Sequence, residues 1–127
     1  MKDLIVSTLI LVLIAGGWTA FLSYAESQTS SYIVDIETQI LPAVEAEDWT
    51  NSTQMLETFR QDWHRFRKTA LCFLDTGTIS DIDYGLARAI KFTSAGDAGS
   101  AAGELNSMAE QLSLLMDNQK ISLQNIF

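Results

Sequence analysis

Chemical potential in this sequence gathers in one short stretch. Arg60, His64, Arg65, Arg67 and Lys68 fall within nine residues of a chain that otherwise sets sixteen acidic residues against eight basic ones. On a helix, Arg60, His64, Arg67 and Lys68 share one face by three- and four-residue spacing, and Arg88 and Lys91 follow in the next segment. The chemistry such a face suits is capture of an anion: a phospholipid headgroup, a cell-wall polymer or an acidic protein surface. The same residues also read as a solvated face paired with Glu57, Asp62 and neighbouring acids.

Other reactive types lead nowhere specific. His64 is the only histidine and Cys72 the only cysteine, which excludes a multi-histidine metal site, a cysteine-based zinc site and an intramolecular disulfide. Cys72, inside Ala-Leu-Cys-Phe-Leu, is expected to be a small buried hydrophobe. Asp81-x-Asp83 could hold a divalent ion, but two acids in the first turn of a helix explain it more simply. Asn51-Ser52-Thr53 is a glycosylation sequon, meaningful only in a host that glycosylates exported proteins. Glycine-rich phosphate loops, His-Glu-x-x-His, calcium loops and nucleophile elbows are missing from the sequence. No catalytic, metal or cofactor-binding residue is therefore assigned, no cofactor is expected, and the expectation is a protein that is not an enzyme. A net charge of −8 disfavours nucleic acid as a partner.

The basic cluster needs a rigid element to hold it, and the sequence supplies one. From Asp48 to Leu74, the residues Trp49, Ser52, Leu56, Phe59, Trp63, Phe66, Ala70 and Phe73 recur at alternating steps of three and four. That heptad seam, half of it aromatic, predicts the buried spine of a helical bundle, with Asp48 as its N-cap. The helix is expected to stop at Asp75-Thr76-Gly77 on a left-handed Gly77, with Thr78 or Ser80 capping the next. The third helix turns Ile82, Leu86, Ala89, Ile90 and Thr93 inward and ends near Gly96. Asp97 opens a fourth, with Ala98, Ala101, Leu105, Met108, Leu112, Leu115 and Gln119 on its seam. A shift of 49 residues superposes Asp48 on Asp97 and Trp63 on Leu112, as two tandem helical hairpins would, and sets large Trp49 opposite small Ala98, Gly99, Ala101, Ala102 and Gly103.

Upstream, Ile33, Ile36, Ile40, Leu41 and Val44 predict a short helix, with Pro42 kinking it near Thr38–Leu41 or restarting it. From Leu4 to Ala25 no charge occurs, and twenty-two helical residues span about 33 Å, enough for a bilayer core of about 30 Å. A transmembrane anchor is the first reading and a signal peptide cleaved after Ala25 is its rival. Lys2 at one end, with no further Lys or Arg until Arg60, predicts a cytoplasmic N-terminus and an exported remainder. Gly16 and Ala20 form a small-xxx-small pair that leaves room for a homo-oligomer. At the far end Leu123, Ile126 and Phe127 are expected either to fold back over the bundle or to serve as an apolar partner-binding tail.

One resemblance covers essentially the whole chain. The opening Met-Lys-Asp-Leu-Ile-Val, the corner Glu47-Asp48-Trp49, Trp63, Ile82-Asp83 with Leu86-Ala87-Arg88, and the closing Ser122-Leu123-x-Asn125-Ile126-Phe127 carry it. Together they resemble an uncharacterised family, a domain of unknown function, of small N-terminally anchored helical proteins from spore-forming Gram-positive bacteria. That resemblance implies an uncleaved anchor and a bacterial envelope address, and supplies no catalytic residues. The expected organisation is all-α: a transmembrane anchor over residues 1–25, a juxtamembrane linker over 26–32 (or, from Glu26 to Ser31, a solvated extension of the anchor helix) and an antiparallel bundle of about four helices over 33–127. The expected function is a non-catalytic, membrane-anchored accessory or scaffold presenting its bundle to an envelope partner. The alternative is a module that binds an anionic lipid or polymer through Arg60, His64, Arg67 and Lys68.

Overall fold

A computed structural model of the chain describes its backbone over residues 1–126 and its side chains over residues 1–118. Every regular element among the described residues is helical: α1 (Lys2–Asp35), a π-helical segment (Ile36–Ile40), α2 (Leu41–Glu45), α3 (Trp49–Ala70), α4 (Thr76–Ser94) and α5 (Ala98–Ile126). The first three are a single rod of 44 residues, Lys2–Glu45, about 66 Å long. The residues 26–32 are helix too, and Thr29 and Tyr32 on this stretch are buried, as is Ala25 just before it.

Pro42 does not break the rod; it changes the pitch of the turn before it. Having no N–H, Pro42 cannot donate to the carbonyl of Thr38, and its ring crowds that carbonyl. The chain widens to five-residue spacing, with the Leu41 amide bonding to the Ile36 carbonyl. The wide turn also serves packing. Tyr32, Ile36, Ile40 and Val44 are all buried at steps of four, and in a pure α-helix each such step would rotate the seam by about 40°. An extra residue in the turn unwinds that drift and keeps one face on the core.

Two corners share one geometry. After α2, Glu47 adopts φ +58°, and the amides of Glu47 and Asp48 bond to the carbonyls of Val44 and Ala43 at 3.0 and 2.9 Å. After α4, Gly96 adopts φ +73°, and the amides of Gly96 and Asp97 bond to Thr93 and Phe92 at 3.1 and 2.9 Å. Both are Schellman closures in which the next residue is an aspartate that caps the following helix. Asp48 accepts from the Asn51 amide and Asp97 from the Ser100 amide. The 49-residue offset read from the sequence thus superposes two corners of the same build.

The α3–α4 corner differs from expectation. Gly77 takes no left-handed φ and lies in the first turn of α4. Asp75 is the cap, because its carboxylate accepts from both the amide and the hydroxyl of Thr78, at 3.1 and 2.6 Å. Those two bonds start the helix three residues before Thr78 and leave Ser80 and Asp81 inside it. Cys72, expected inside, is exposed, because α3 ends at Ala70 and the chain leaves the seam there.

The core runs the length of the rod from Ala25 onward. It takes Leu56, Phe59, Trp63, Phe66 and Ala70 from α3, Ile79, Ile82, Leu86 and Ala89 from α4, and Ala101, Leu105, Met108, Leu112 and Leu115 from α5. Contacts between the rod and α3 run in opposite chain order, Tyr24 with Phe66 and Tyr32 with Phe59. α5 packs chiefly on α4 and the rod. There Gly85 is the close point, since a Cβ would meet Met108 Cγ at 3.1 Å. Below Ala25 the rod is nearly bare, with its large apolar residues from Leu4 to Ile14 each 51–72% exposed. At the other end, α5 continues to Ile126 and leaves no separate tail before it; the side chains of Gln119, Leu123, Ile126 and Phe127 lie outside the described residues.

Candidate functional site

The seam of α3 carries the indole N–H of Trp63 into the core, and a buried tryptophan needs an acceptor for it. Asp83 of α4 supplies one. Its Oδ1 accepts from Trp63 Nε1 at 2.6 Å, and its Oδ2 accepts from Arg67 Nε at 3.1 Å and pairs with the guanidinium at 2.9 Å. Trp63 and Arg67 are four residues apart on α3, so one carboxylate holds both. Asp83 is therefore a clamp between α3 and α4, in the third turn of α4, rather than a first-turn acid or half of an ion site. The buried tryptophan at the middle of the seam was the signal that an acceptor would be needed; its identity was not readable.

Arg60, His64 and Arg67 line a shallow cleft of about 200 Å³ between α3 and α4, floored by Trp63, Leu86 and Ile90. The four sequence-assigned residues are not four free cations, however. Arg60 Nε donates to Glu57 at 3.0 Å, a bond that holds the Glu57 carboxyl below its usual range and raises Arg60 above its own. Arg67 belongs to Asp83, Arg65 pairs with Asp62 at 2.8 Å, and Arg88 reaches Glu104 on α5 at 2.9 Å. Among the described residues Lys68 is exposed with no carboxylate partner, and it does not line the cleft. The face is thus mostly neutralised, which disfavours tight binding of a polyanion.

A second cluster lies where α1 meets α3. Tyr32 packs its ring on Phe59, Trp63 and Phe66, with centroids 5.2–6.0 Å away, and donates to the Asp62 carbonyl at 3.2 Å. Burial pushes its phenol up to about 12, and the Asp62 charge adds to the shift. Beside it opens a groove of about 380 Å³ with Tyr24, Gln28 and Arg65 on its walls. A third, of about 280 Å³, lies against the π-helical segment and is lined by Asp35, Gln39, Asn51 and Asp62 among others. All three are open surface grooves without the enclosure of a small-molecule site.

Farther down the rod, Trp18 and Phe21 receive Phe73 from the α3–α4 corner, at 5.3 and 4.5 Å between centroids. This is where the bare stretch of α1 ends. No group of three or more His, Cys, Asp and Glu among the described residues is arranged to hold a metal ion. The arrangement can clamp helices, present half-neutralised charge and offer apolar surface.

Comparison with known proteins reaches as far as a family. Neither a curated protein nor a solved structure matches the chain. A family model does match, over residues 19–126, beginning one residue past Trp18, the first residue of the rod that the bundle partly covers. By that match the chain belongs to the family described as Domain of unknown function (DUF4363).

Proposed function

We propose that the protein is a single-pass membrane protein, its N-terminus in the cytoplasm, that presents an antiparallel helical bundle of two hairpins outside it as a non-catalytic scaffold or accessory subunit for an envelope partner. The observation that carries this reading is the division of one rod into two solvents. Its upper part builds a core, whereas Leu4–Ile14 exposes every large apolar side chain, a surface that water would not tolerate and lipid would. Lys2 sets the orientation by the positive-inside rule. Scaffolding, not turnover, fits a bundle whose polar groups are engaged in capping and in clamping helices together.

The test is cross-linking of the full chain in its native membrane, followed by identification of what co-purifies. A single membrane or envelope protein recovered at low and high salt alike is the expected result. The second reading, a module for an anionic lipid or polymer, rests on the exposed Lys68 and the Arg60–His64 cleft. Binding to anionic vesicles that falls with salt, and is lost when Arg60, Arg67 and Lys68 are changed to Gln, would favour it over the scaffold.

A further inference from the structure

The bare part of the rod is too short to cross a bilayer by itself. Leu4–Gly17, exposed throughout, is about 21 Å of helix, against a hydrocarbon core of about 30 Å. A helix that enters the membrane near Leu4 leaves it roughly six residues later than Gly17, around Ser23. Tyr24 then falls in the interfacial belt where aromatic side chains concentrate, and Trp18 lies about 8 Å below Ser23. Yet the bundle already sits on this part of the rod. Phe21 and Leu22 are packed against the core, and Phe73 lies against Trp18 and Phe21. Whatever depth Trp18 and Phe21 reach, the α3–α4 corner shares it.

The corner is built for that depth. Leu71, Cys72 and Phe73 follow one another at its tip; Cys72 is exposed, and Phe73 is 39% exposed even with two rings against it. Lys68, one turn earlier and without an ion-pair partner among the described residues, can extend its ammonium to lipid phosphates while its methylenes stay in the apolar layer. Asp75 limits the depth. Its carboxylate, held charged by the Thr78 hydroxyl and amide that lower its proton affinity, cannot follow Phe73 into hydrocarbon.

Resting on the reading that α1 crosses the membrane, we propose that Leu71–Phe73 is a second membrane contact, inserted at the boundary between headgroups and acyl chains beside Trp18 and Phe21. The bundle then lies against the lipid surface, locked in orientation by two attachments instead of one. Insertion is apolar in origin, so it holds on zwitterionic lipid and is insensitive to salt.

The chain's only cysteine stands in the corner, so the native residue can carry the reporter. The full chain is reconstituted in phosphatidylcholine nanodiscs with an environment-sensitive fluorophore on Cys72. Two Cys72→Ser variants carry the probe elsewhere, at Leu11→Cys in the bare rod and at Glu45→Cys beyond the π-helical segment. The expected result is strong quenching of the Cys72 probe by lipids nitroxide-labelled high on the acyl chain, and several-fold less quenching by aqueous iodide than at Glu45→Cys. Replacing Phe73 by Ser should move the Cys72 probe toward iodide. If the Leu11→Cys probe is quenched by lipid while the Cys72 probe is as open to iodide as the one at Glu45→Cys, the corner contact is wrong and the anchor stands. If iodide reaches Leu11→Cys freely, the anchor fails and the corner contact with it.

Discussion

Replacing Asp83 by Ala tests the clamp, and its cost can be worked from the geometry. Trp63 is 2% exposed, so removal of Asp83 leaves the indole N–H buried without an acceptor, at a cost of about 1–3 kcal/mol. The Arg67 contribution is smaller. Its side chain is 29% exposed, so the guanidinium can turn to water, and about 1 kcal/mol is lost with the pair. Together these come to about 2–4 kcal/mol, a large share of the roughly 5–15 kcal/mol that holds a domain folded. At about 4–8 °C per kcal/mol for a domain of this size, the midpoint should fall by about 8–32 °C. Asp83→Asn should cost less but not nothing, since one of its two ends is an amide that must confront either the indole N–H or the guanidinium. Urea unfolding of the full chain in micelles, followed by far-ultraviolet circular dichroism, gives both values. The decisive control is Trp63→Phe, which keeps a ring in the seam and removes the donor. In that background Asp83→Ala should cost only about 1 kcal/mol, a coupling of about 1–3 kcal/mol between the two positions. A full-sized effect of Asp83→Ala in the Trp63→Phe background, or a change below about 0.5 kcal/mol in the parent, would refute the clamp.

Three further outcomes follow from other residues. Tyr32 binds its proton more tightly folded than unfolded, so its contribution is complete below about pH 10 and is lost as the pH rises toward its folded value of about 12. Unfolding titrations across that window should steepen for the parent and flatten for Tyr32→Phe. The hydroxyls of Thr29 and Thr93 are buried without a hydrogen-bond partner among the described residues, so Thr29→Val and Thr93→Val should each raise stability by about 1 kcal/mol in the same urea assay; a loss at either site would mean the hydroxyl is satisfied. At the matched corners, Gly96→Ala should destabilise by about 1 kcal/mol and Glu47→Gly should not, because both positions hold positive φ and only glycine does so without strain.

Helix positions and buried faces were legible in the sequence because both depend on local periodicity. Ser52, Leu56, Phe59, Trp63, Phe66 and Ala70 are all buried, as the three-four spacing of α3 requires, and Ala101, Leu105, Met108, Leu112 and Leu115 repeat the result in α5. Asp48 and Asp97 could be read as caps because capping is decided within four residues. Tertiary structure alone decided the rest. That residues 26–32 and Pro42 lie within one rod depends on a π-helical turn whose justification is the core it keeps in register. That α5 packs chiefly on α4 and the rod depends on which helices are neighbours, and a heptad does not name its partner. The basic face looked like a binding surface because charge can be counted along a chain. Its pairing within α3, Arg60 with Glu57 and Arg65 with Asp62, could be read as well; the rest could not, since Asp83 answers Arg67 from another helix and Glu104 answers Arg88 from a third. Periodicity is a property of one helix and reads from its sequence; pairing is a property of two, and exists only once they are packed.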